Sequence, residues 1–312
     1  MQIKSIVIGL GKIGMGYDYS GSKGGANKIL THASAINTHS NFSLSGGVDN
    51  NVSKKKNFYK KYKVSTYNSY MDAIKNEEPE LVVISTPIHT HYKILKKIIN
   101  IKNVKIILCE KPITNSIINT RKIYKLLMKK RKFFFINYIR QYDPVINRIL
   151  KSLKRDKSNF PTQINVKYYN GFYNNASHIL FLVGKIFGFS GKVKIVSVKK
   201  KNPIIFSNVN FEIKYKKGIA KFFSKNEKNQ KIRNEMEIIT PKNKINFSFR
   251  SGKISLYNKE GKIKTLNTQM NISQYNVFNN ISNYLKKKDK ILCSNKDALK
   301  VEIVLNKILQ KI

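Results

Sequence analysis

The stretch IKSIVIGLGKIG, residues 3–14, decides the fold. Residues 3–9 are an apolar, β-branched run of the kind that forms a strand buried on both faces. The run leads directly into Gly9-Leu10-Gly11-Lys12-Ile13-Gly14, which fits G-x-G-x-x-G. In that pattern the first glycine makes a tight turn and the second lets backbone approach a pyrophosphate. The third lets the next helix close on the strand, and the N-terminus of that helix faces the phosphates. Gly9, Gly11, Lys12, Ile13 and Gly14 are therefore candidate cofactor-binding residues. A glycine-rich turn with no ligand is the competing reading, and its place after the first strand of an α/β alternation argues against it.

Outward from that turn, apolar runs recur at 42–49 (FSLSGGVD), 81–86 (LVVIST), 104–110 (VKIILCE) and 133–139 (FFFINYI). Amphipathic stretches at 68–76, 90–100 and 116–130 lie between them, and in the last Ile117, Ile118, Ile123, Leu126 and Leu127 recur at roughly helical spacing. The alternation predicts an α/β domain over residues 1–140, with a doubly wound parallel sheet. Asp49 ends the second run, where an acidic residue would hydrogen-bond the adenosine ribose 2′-hydroxyl. It lies 35 residues past Gly14, and a polar, Gly-rich insertion at 16–28 accounts for the excess over the usual ~20. Asp49 favours NAD, while Lys54, Lys55 and Lys56 close behind it keep NADP open.

Residues 141–312 have a different texture. Alternating segments at 163–170, 193–198, 204–215, 219–224, 235–240, 245–250, 254–257 and 263–266 are separated in several places by tight turn signals. They predict a large, mostly antiparallel sheet in an α+β domain. Helical patterns bracket it at 176–187, 272–287 and 296–312. The boundary falls near residue 141, where Tyr142-Asp143-Pro144 forces an extended entry to the next helix. The last helix is expected to be able to pack back on the first domain.

The chain carries 60 Lys+Arg against 17 Asp+Glu, a net charge of +43. Taken alone this invites nucleic acid or an anionic membrane. Only seven of those basic residues are Arg, whose bidentate fork nucleic-acid readers favour. Lysine is joined by 36 Asn, abundant Ile, Tyr and Phe, seven Ala and no Trp, a bias toward residues with A/T-rich codons. The charge is thus read as background, and neither a nucleic-acid nor a membrane partner is expected. Cys109 and Cys293 are far apart in apolar surroundings, as reduced core thiols of a cytoplasmic protein would be. No Cys/His spacing suggests a metal site, and the N-terminus lacks the layout of a signal peptide.

Two further strand ends carry polar residues where ligands of open α/β sheets sit: Ser85-Thr86-Pro87-Ile88-His89-Thr90-His91 and Cys109-Glu110-Lys111-Pro112. The ordered set of G-x-G-x-x-G, T-P-x-x-x-H and E-K-P resembles the Gfo/Idh/MocA family of sugar and inositol dehydrogenases. Residues 170–184 (NGFYNNASHILFLVG) resemble the family's segment bearing a catalytic histidine, and the C-terminal sheet and closing helix resemble its second domain. The segments GLGKIGMGYD and THASAI are similar to a subgroup associated with bacterial surface-sugar biosynthesis.

The resemblance implies an NAD(P)-dependent oxidoreductase that moves hydride between a secondary alcohol of a sugar, with nucleotide-linked sugars among the candidates, and nicotinamide. It also implies a homo-oligomer, a dimer or tetramer. Lys111 and His178 would flank the substrate carbon, with His178 taking the hydroxyl proton and Lys111 stabilising the oxygen. Glu110 would orient Lys111 or contact the nicotinamide ribose, and Ser85, Thr86, Pro87 and His91 would line the cofactor. Many family members carry D-x-x-x-H-x-x-D around the histidine. Here those positions are Asn174 and Phe181, so Asn174 joins the catalytic candidates as a residue able to position a sugar hydroxyl without charge. His32, in THASA, could face the substrate or simply begin a helix. A non-catalytic, dinucleotide-binding sugar sensor on the same fold is the alternative function, and nucleic-acid binding the remote one.

Overall fold

A computed structural model describes residues 2–19, 28–169, 171–201, 207–225 and 234–312. Most of the 16–28 insertion and part of the 204–215 segment lie outside the described residues. The chain divides into two units: Met1–Ile139 with Asn271–Asn295, and Arg140–Met270 with Lys296–Ile312.

In the first unit, β1 (Ile3–Ile8) leads through a π-turn (Lys12–Gly16) into the single turn α1 (Tyr17–Tyr19), then α2 (His32–Thr38) and β2 (Phe42–Val48). Next come α3 (Val52–Tyr62), β3 (Ser65–Tyr67), α4 (Tyr70–Glu77), β4 (Leu81–Ile84), α5 (Ile88–Ile98), β5 (Ile106–Cys109), α6 (Ile117–Lys130) and β6 (Phe133–Ile136). The six strands form one sheet in the order β3-β2-β1-β4-β5-β6, with every pair parallel. The reversal of direction between β1 and β4 is the switch point where such sheets bind ligands. Every residue of β4 and β5 is buried, as a strand covered by helices on both faces must be. Each such Val, Ile or Leu contributes about 1.5–3 kcal/mol through lost apolar exposure. The three-residue β3 is too short to leave a periodic signal and is absent from the sequence reading.

Helix starts in this unit follow local chemistry. Thr31 accepts from the Ser34 N–H before α2, Asn51 from the Lys54 N–H before α3, and Ser69 from two N–H groups before α4.

The second unit begins with α7 (Pro144–Arg155), capped by Asp143, which accepts from the Val145 and Ile146 N–H groups. Then follow β7 (Gln163–Tyr169), a π-turn (Phe172–Ala176), α8 (Ser177–Phe187) and β8 (Lys192–Lys199). Six more strands complete the sheet: β9 (Asn208–Tyr215), β10 (Gly218–Lys225), β11 (Glu235–Ile239), β12 (Lys244–Ser248), β13 (Lys253–Asn258) and β14 (Gly261–Asn267). The order is β14-β13-β12-β11-β7-β10-β9-β8, antiparallel except for β7 with β10. One face is apolar, with Phe211 and Phe222 stacked at 4.4 Å, and both edge strands are rich in lysine. Charged edge strands resist pairing with another chain, so part of the +43 has a structural use.

Helix α9 (Ser273–Leu285) belongs with the first unit, and α10 (Asn295–Leu309) with the second. The first unit thus takes α9 back from beyond residue 141. The reason is packing. Phe278 of α9 meets Phe42 of β2 edge-on at 5.2 Å, and the Asn41 side chain donates to Ser282. In α10, Asp297 pairs instead with Lys185 of α8 at 3.0 Å.

Candidate active site

The glycine-rich turn is built as its sequence demands. Gly9 sits at φ +95°, where a side chain would also press within 2.7–2.8 Å of the Ser85–Thr86 backbone. A Cβ on Gly14 would lie 2.0 Å from the Gly9 carbonyl oxygen. Around Gly11, by contrast, a Cβ would meet nothing within 4 Å. Its carbonyl accepts from both the Met15 and Gly16 N–H groups, at 3.0 and 2.9 Å. The earlier N–H groups of Lys12 and Ile13 lie in the first turn, where no intrahelical acceptor exists. The Ser85 hydroxyl donates to the Gly9 carbonyl at 2.7 Å and ties β4 to this turn.

Asp49 stands one residue beyond β2. Its Oδ2 accepts from the Leu10 N–H at 2.9 Å and from the Lys54 ammonium at 3.3 Å, and its Oδ1 from the Asn51 N–H at 2.9 Å. The carboxylate is thus held against the glycine turn with acceptor capacity left for a ribose hydroxyl. An open cradle at Gly11, first-turn N–H groups and a tethered strand-end carboxylate fit a dinucleotide's pyrophosphate and ribose.

At the ends of β4 and β5 the candidates separate by role. Thr86 and Thr90 hydroxyls meet at 2.7 Å, and Pro87 caps α5 with its carbonyl accepting from the Thr90 hydroxyl. The His91 ring is buried, with Nε2 2.9 Å from the Thr86 carbonyl and Nδ1 3.0 Å from the Pro112 carbonyl. It staples the two strand-end loops together.

Glu110 is only 15% exposed at its side chain. Its Oε1 accepts from His32 Nε2 at 2.9 Å and from the Asn137 amide at 2.6 Å. Burial alone would raise this carboxyl. The His32 hydrogen bond and charge, the Asn137 amide and neighbouring Lys111 outweigh that and hold it below the usual glutamate value. Lys111, half-buried, follows through a cis bond to Pro112. His32 has no exposed surface, so the structure removes it from direct contact with a substrate. Asn137 escaped the sequence reading, although a polar residue directly after the apolar run of β6 is the strand-end signal used elsewhere.

In the second unit, Asn174 lies in the π-turn and His178 in the first turn of α8. Both are half-buried in a segment where Phe172, Tyr173, Ala176, Ser177 and Ile179–Gly184 are buried. Phe181 is fully buried, 5.9 Å from Phe189, on the core side of the helix. The Lys185 ammonium also lies over its ring, 5.7 Å from the centroid.

Among the described residues no cluster of His, Cys, Asp and Glu could hold a metal ion, and no helix is long and apolar enough to cross a membrane. Residues 3–138 match the model of the oxidoreductase family with an NAD-binding Rossmann fold. No curated protein sequence matches the chain. Among solved structures, UDP-N-acetylglucosamine 3-dehydrogenase from Acidithiobacillus ferrooxidans is similar at a TM-score of 0.78, with 16% identity covering 99% of this chain and 96% of that one. A Clostridium difficile dehydrogenase (MviM) gives 0.79 with 14% identity and full coverage of both chains. A Sinorhizobium meliloti protein described as a myo-inositol dehydrogenase gives 0.74 with 16% identity, covering 96% and 94%. At such identities these likenesses speak for the fold. With its glycine turn, tethered Asp49 and matched sequence, the stretch 3–138 is similar to the NAD-binding Rossmann domain of the Gfo/Idh/MocA oxidoreductase family, whose model it matches.

Proposed function

We propose that the protein is a dehydrogenase acting on a secondary alcohol of a sugar, with nucleotide-linked sugars as the substrate class. Residues 1–140 would bind the dinucleotide and residues 141–312 the substrate. The observation that carries the reading is the glycine turn, open at Gly11 and closed at Gly14, with Asp49 hydrogen-bonded to its Leu10 N–H. It is supported by the catalytic pairing that the family resemblance assigns to Lys111 and His178, and by the sugar-nucleotide activity named for one structural relative.

Bound NAD supplies the acceptor for the hydride that leaves the carbinol carbon. His178 takes the hydroxyl proton as that carbon is oxidised, an imidazole being the side chain whose ordinary pKa of about 6.5 suits the task near neutrality. The Lys111 ammonium donates to the same oxygen and stabilises its developing negative charge. Asn174 positions a neighbouring sugar hydroxyl as a neutral hydrogen-bonding group.

The test is a thermal-shift screen with NAD⁺, NADP⁺ and nucleotide sugars, because a ligand that binds only the native state raises its stability by mass action. A rise with a dinucleotide is expected, with a further rise when a substrate sugar is added. No shift with either dinucleotide at millimolar concentration refutes the reading. With a substrate in hand, His178→Ala should abolish turnover while leaving dinucleotide binding intact. Wild-type rates in that variant would instead favour a sensor on the same fold.

A further inference from the structure

His32 is a buried imidazole that the proposed reaction does not use. It sits at the first position of α2, where any apolar residue would fill the space against Phe278, 6.2 Å away edge-on. Instead, Nε2 reaches across 78 residues of sequence to Glu110, while Nδ1 is buried with no hydrogen-bond partner among the described residues. An unsatisfied buried nitrogen costs stability, and a buried charged or polar pair is seldom a net stabiliser compared with apolar packing. A purely structural role would therefore be better served by leucine.

The ring's placement is over-determined. Asp18, at the end of the glycine-turn segment, accepts from the Leu30 N–H at 3.2 Å, the Thr31 N–H at 2.9 Å and the Thr31 hydroxyl at 2.5 Å. Thr31 in turn caps α2, so its neighbour His32 enters the helix at a fixed angle. Two donors then converge on one oxygen: His32 Nε2–H from α2 and the Asn137 amide from the loop after β6 both bond Glu110 Oε1. With Oε1 occupied on both sides, the carboxylate cannot rotate without breaking two hydrogen bonds, and Oε2 is held for other partners. The ionisable groups acting on Glu110 are His32 and, on its own loop, Lys111.

We propose that His32 is a positioning residue that, together with Asn137, fixes the Glu110 carboxylate beside Lys111. The service this does the nicotinamide site rests on the reading given above for Glu110 and Lys111. The hydrogen-bonded arrangement does not. It joins the GYD, THASA and E-K-P segments into one assembly: Asp18 holds Thr31, Thr31 sets His32, and His32 sets Glu110.

The experiment is a pH titration of the full chain labelled with glutamate carrying a ¹³C carboxyl, which gives ten signals, with Glu110 assigned by Glu110→Gln. In the wild type Glu110 should titrate below an ordinary glutamate. In His32→Leu its midpoint should rise by about one pH unit, the scale of one lost charge-assisted partner. His32→Gln, which offers an amide donor at similar reach, should return most of that shift. An unchanged midpoint in His32→Leu, or no recovery in His32→Gln, overturns the proposal. Should the leucine variant not fold, ¹⁵N-histidine spectra of the wild type and Glu110→Gln decide instead. One of the five histidines should carry a hydrogen-bonded Nε2 proton that moves when Glu110 is changed, and no movement overturns the proposal. NADH binding to the wild type is measured separately and bears on the cofactor reading alone.

Discussion

Gly11→Ala separates the fold of the glycine turn from its use. Gly11 has φ −72°, an ordinary value for any residue, and a Cβ added there meets nothing within 4 Å. The folded chain therefore accepts alanine without a shift. Replacing glycine at a compatible position removes freedom from the unfolded chain and stabilises by about 0.4–1 kcal/mol. For a domain of this size that raises the Tm by about 1–4 °C. The same open space is where a pyrophosphate must approach backbone. A methyl group there forces the phosphates out by about 1 Å, and a misplacement of that size costs about 100-fold in a positioned interaction. Calorimetric melting and an NADH fluorescence titration measure both effects, the second helped by the absence of Trp. The expected pattern is a melting temperature at or above wild type with NADH binding weakened about 100-fold. Wild-type affinity in Gly11→Ala, or a melt many degrees lower, refutes the reasoning. Gly14→Ala is the opposite case, because its Cβ would lie 2.0 Å from the Gly9 carbonyl oxygen. It should lose about 1–3 kcal/mol of stability as well as binding.

Further outcomes follow from the same geometry. Asp49→Ser removes the carboxylate that opposes a 2′-phosphate and releases Lys54 from its 3.3 Å pairing, so the ratio of NADP⁺ to NAD⁺ dissociation constants should move at least tenfold toward NADP⁺, by direct titration. Glu110 is held below its ordinary pKa in the folded protein, so its ionisation contributes stability above the ordinary glutamate range that is lost as pH falls through the folded value. The stability gap between wild type and Glu110→Gln, measured by denaturant titration, should accordingly shrink on acidification below about pH 4. Phe181→Asp, which restores the family's carboxylate, buries a charge at a site with no exposure, where the nearby Lys185 ammonium already pairs with Asp297, and should cost about 3 kcal/mol or more. Asn174→Asp, at a half-buried position, should leave the melting temperature within a few degrees of wild type by about the scale of surface substitutions.

Much of the candidate site was legible because its signals are short. G-x-G-x-x-G after an apolar run reports a turn whose close contacts, Gly14 on Gly9 and Gly9 on Ser85, leave no room for side chains. Asp49 is a candidate by its place at a strand end despite the insertion before it, and its carboxylate accepts from the Leu10 N–H of the glycine turn. The second sheet announced itself through alternating segments and turn residues, and its strands lie close to the expected positions. The membership of α9 was not legible. Its amphipathic pattern says that one face is buried but not against which unit, and Phe278 on Phe42 decides that. Nor could sequence alone tell His91 and His32 from ligand-contacting residues, since a histidine's role depends on what its two nitrogens meet.

By itself, then, the sequence determined most of the elements, the parallel and mostly antiparallel character of the two sheets, and the glycine turn after β1. These follow from backbone sterics and side-chain periodicity within a dozen residues or so. Only the tertiary structure decided which polar side chains act together. His32, Glu110 and Asn137 are separated by 78 and 27 positions along the chain, and they meet because β5, β6 and α2 deliver their ends to one side of the parallel sheet. Hydrogen bonds of that reach leave no local pattern, because the register between strands, and not the spacing along the chain, sets the distance between their partners.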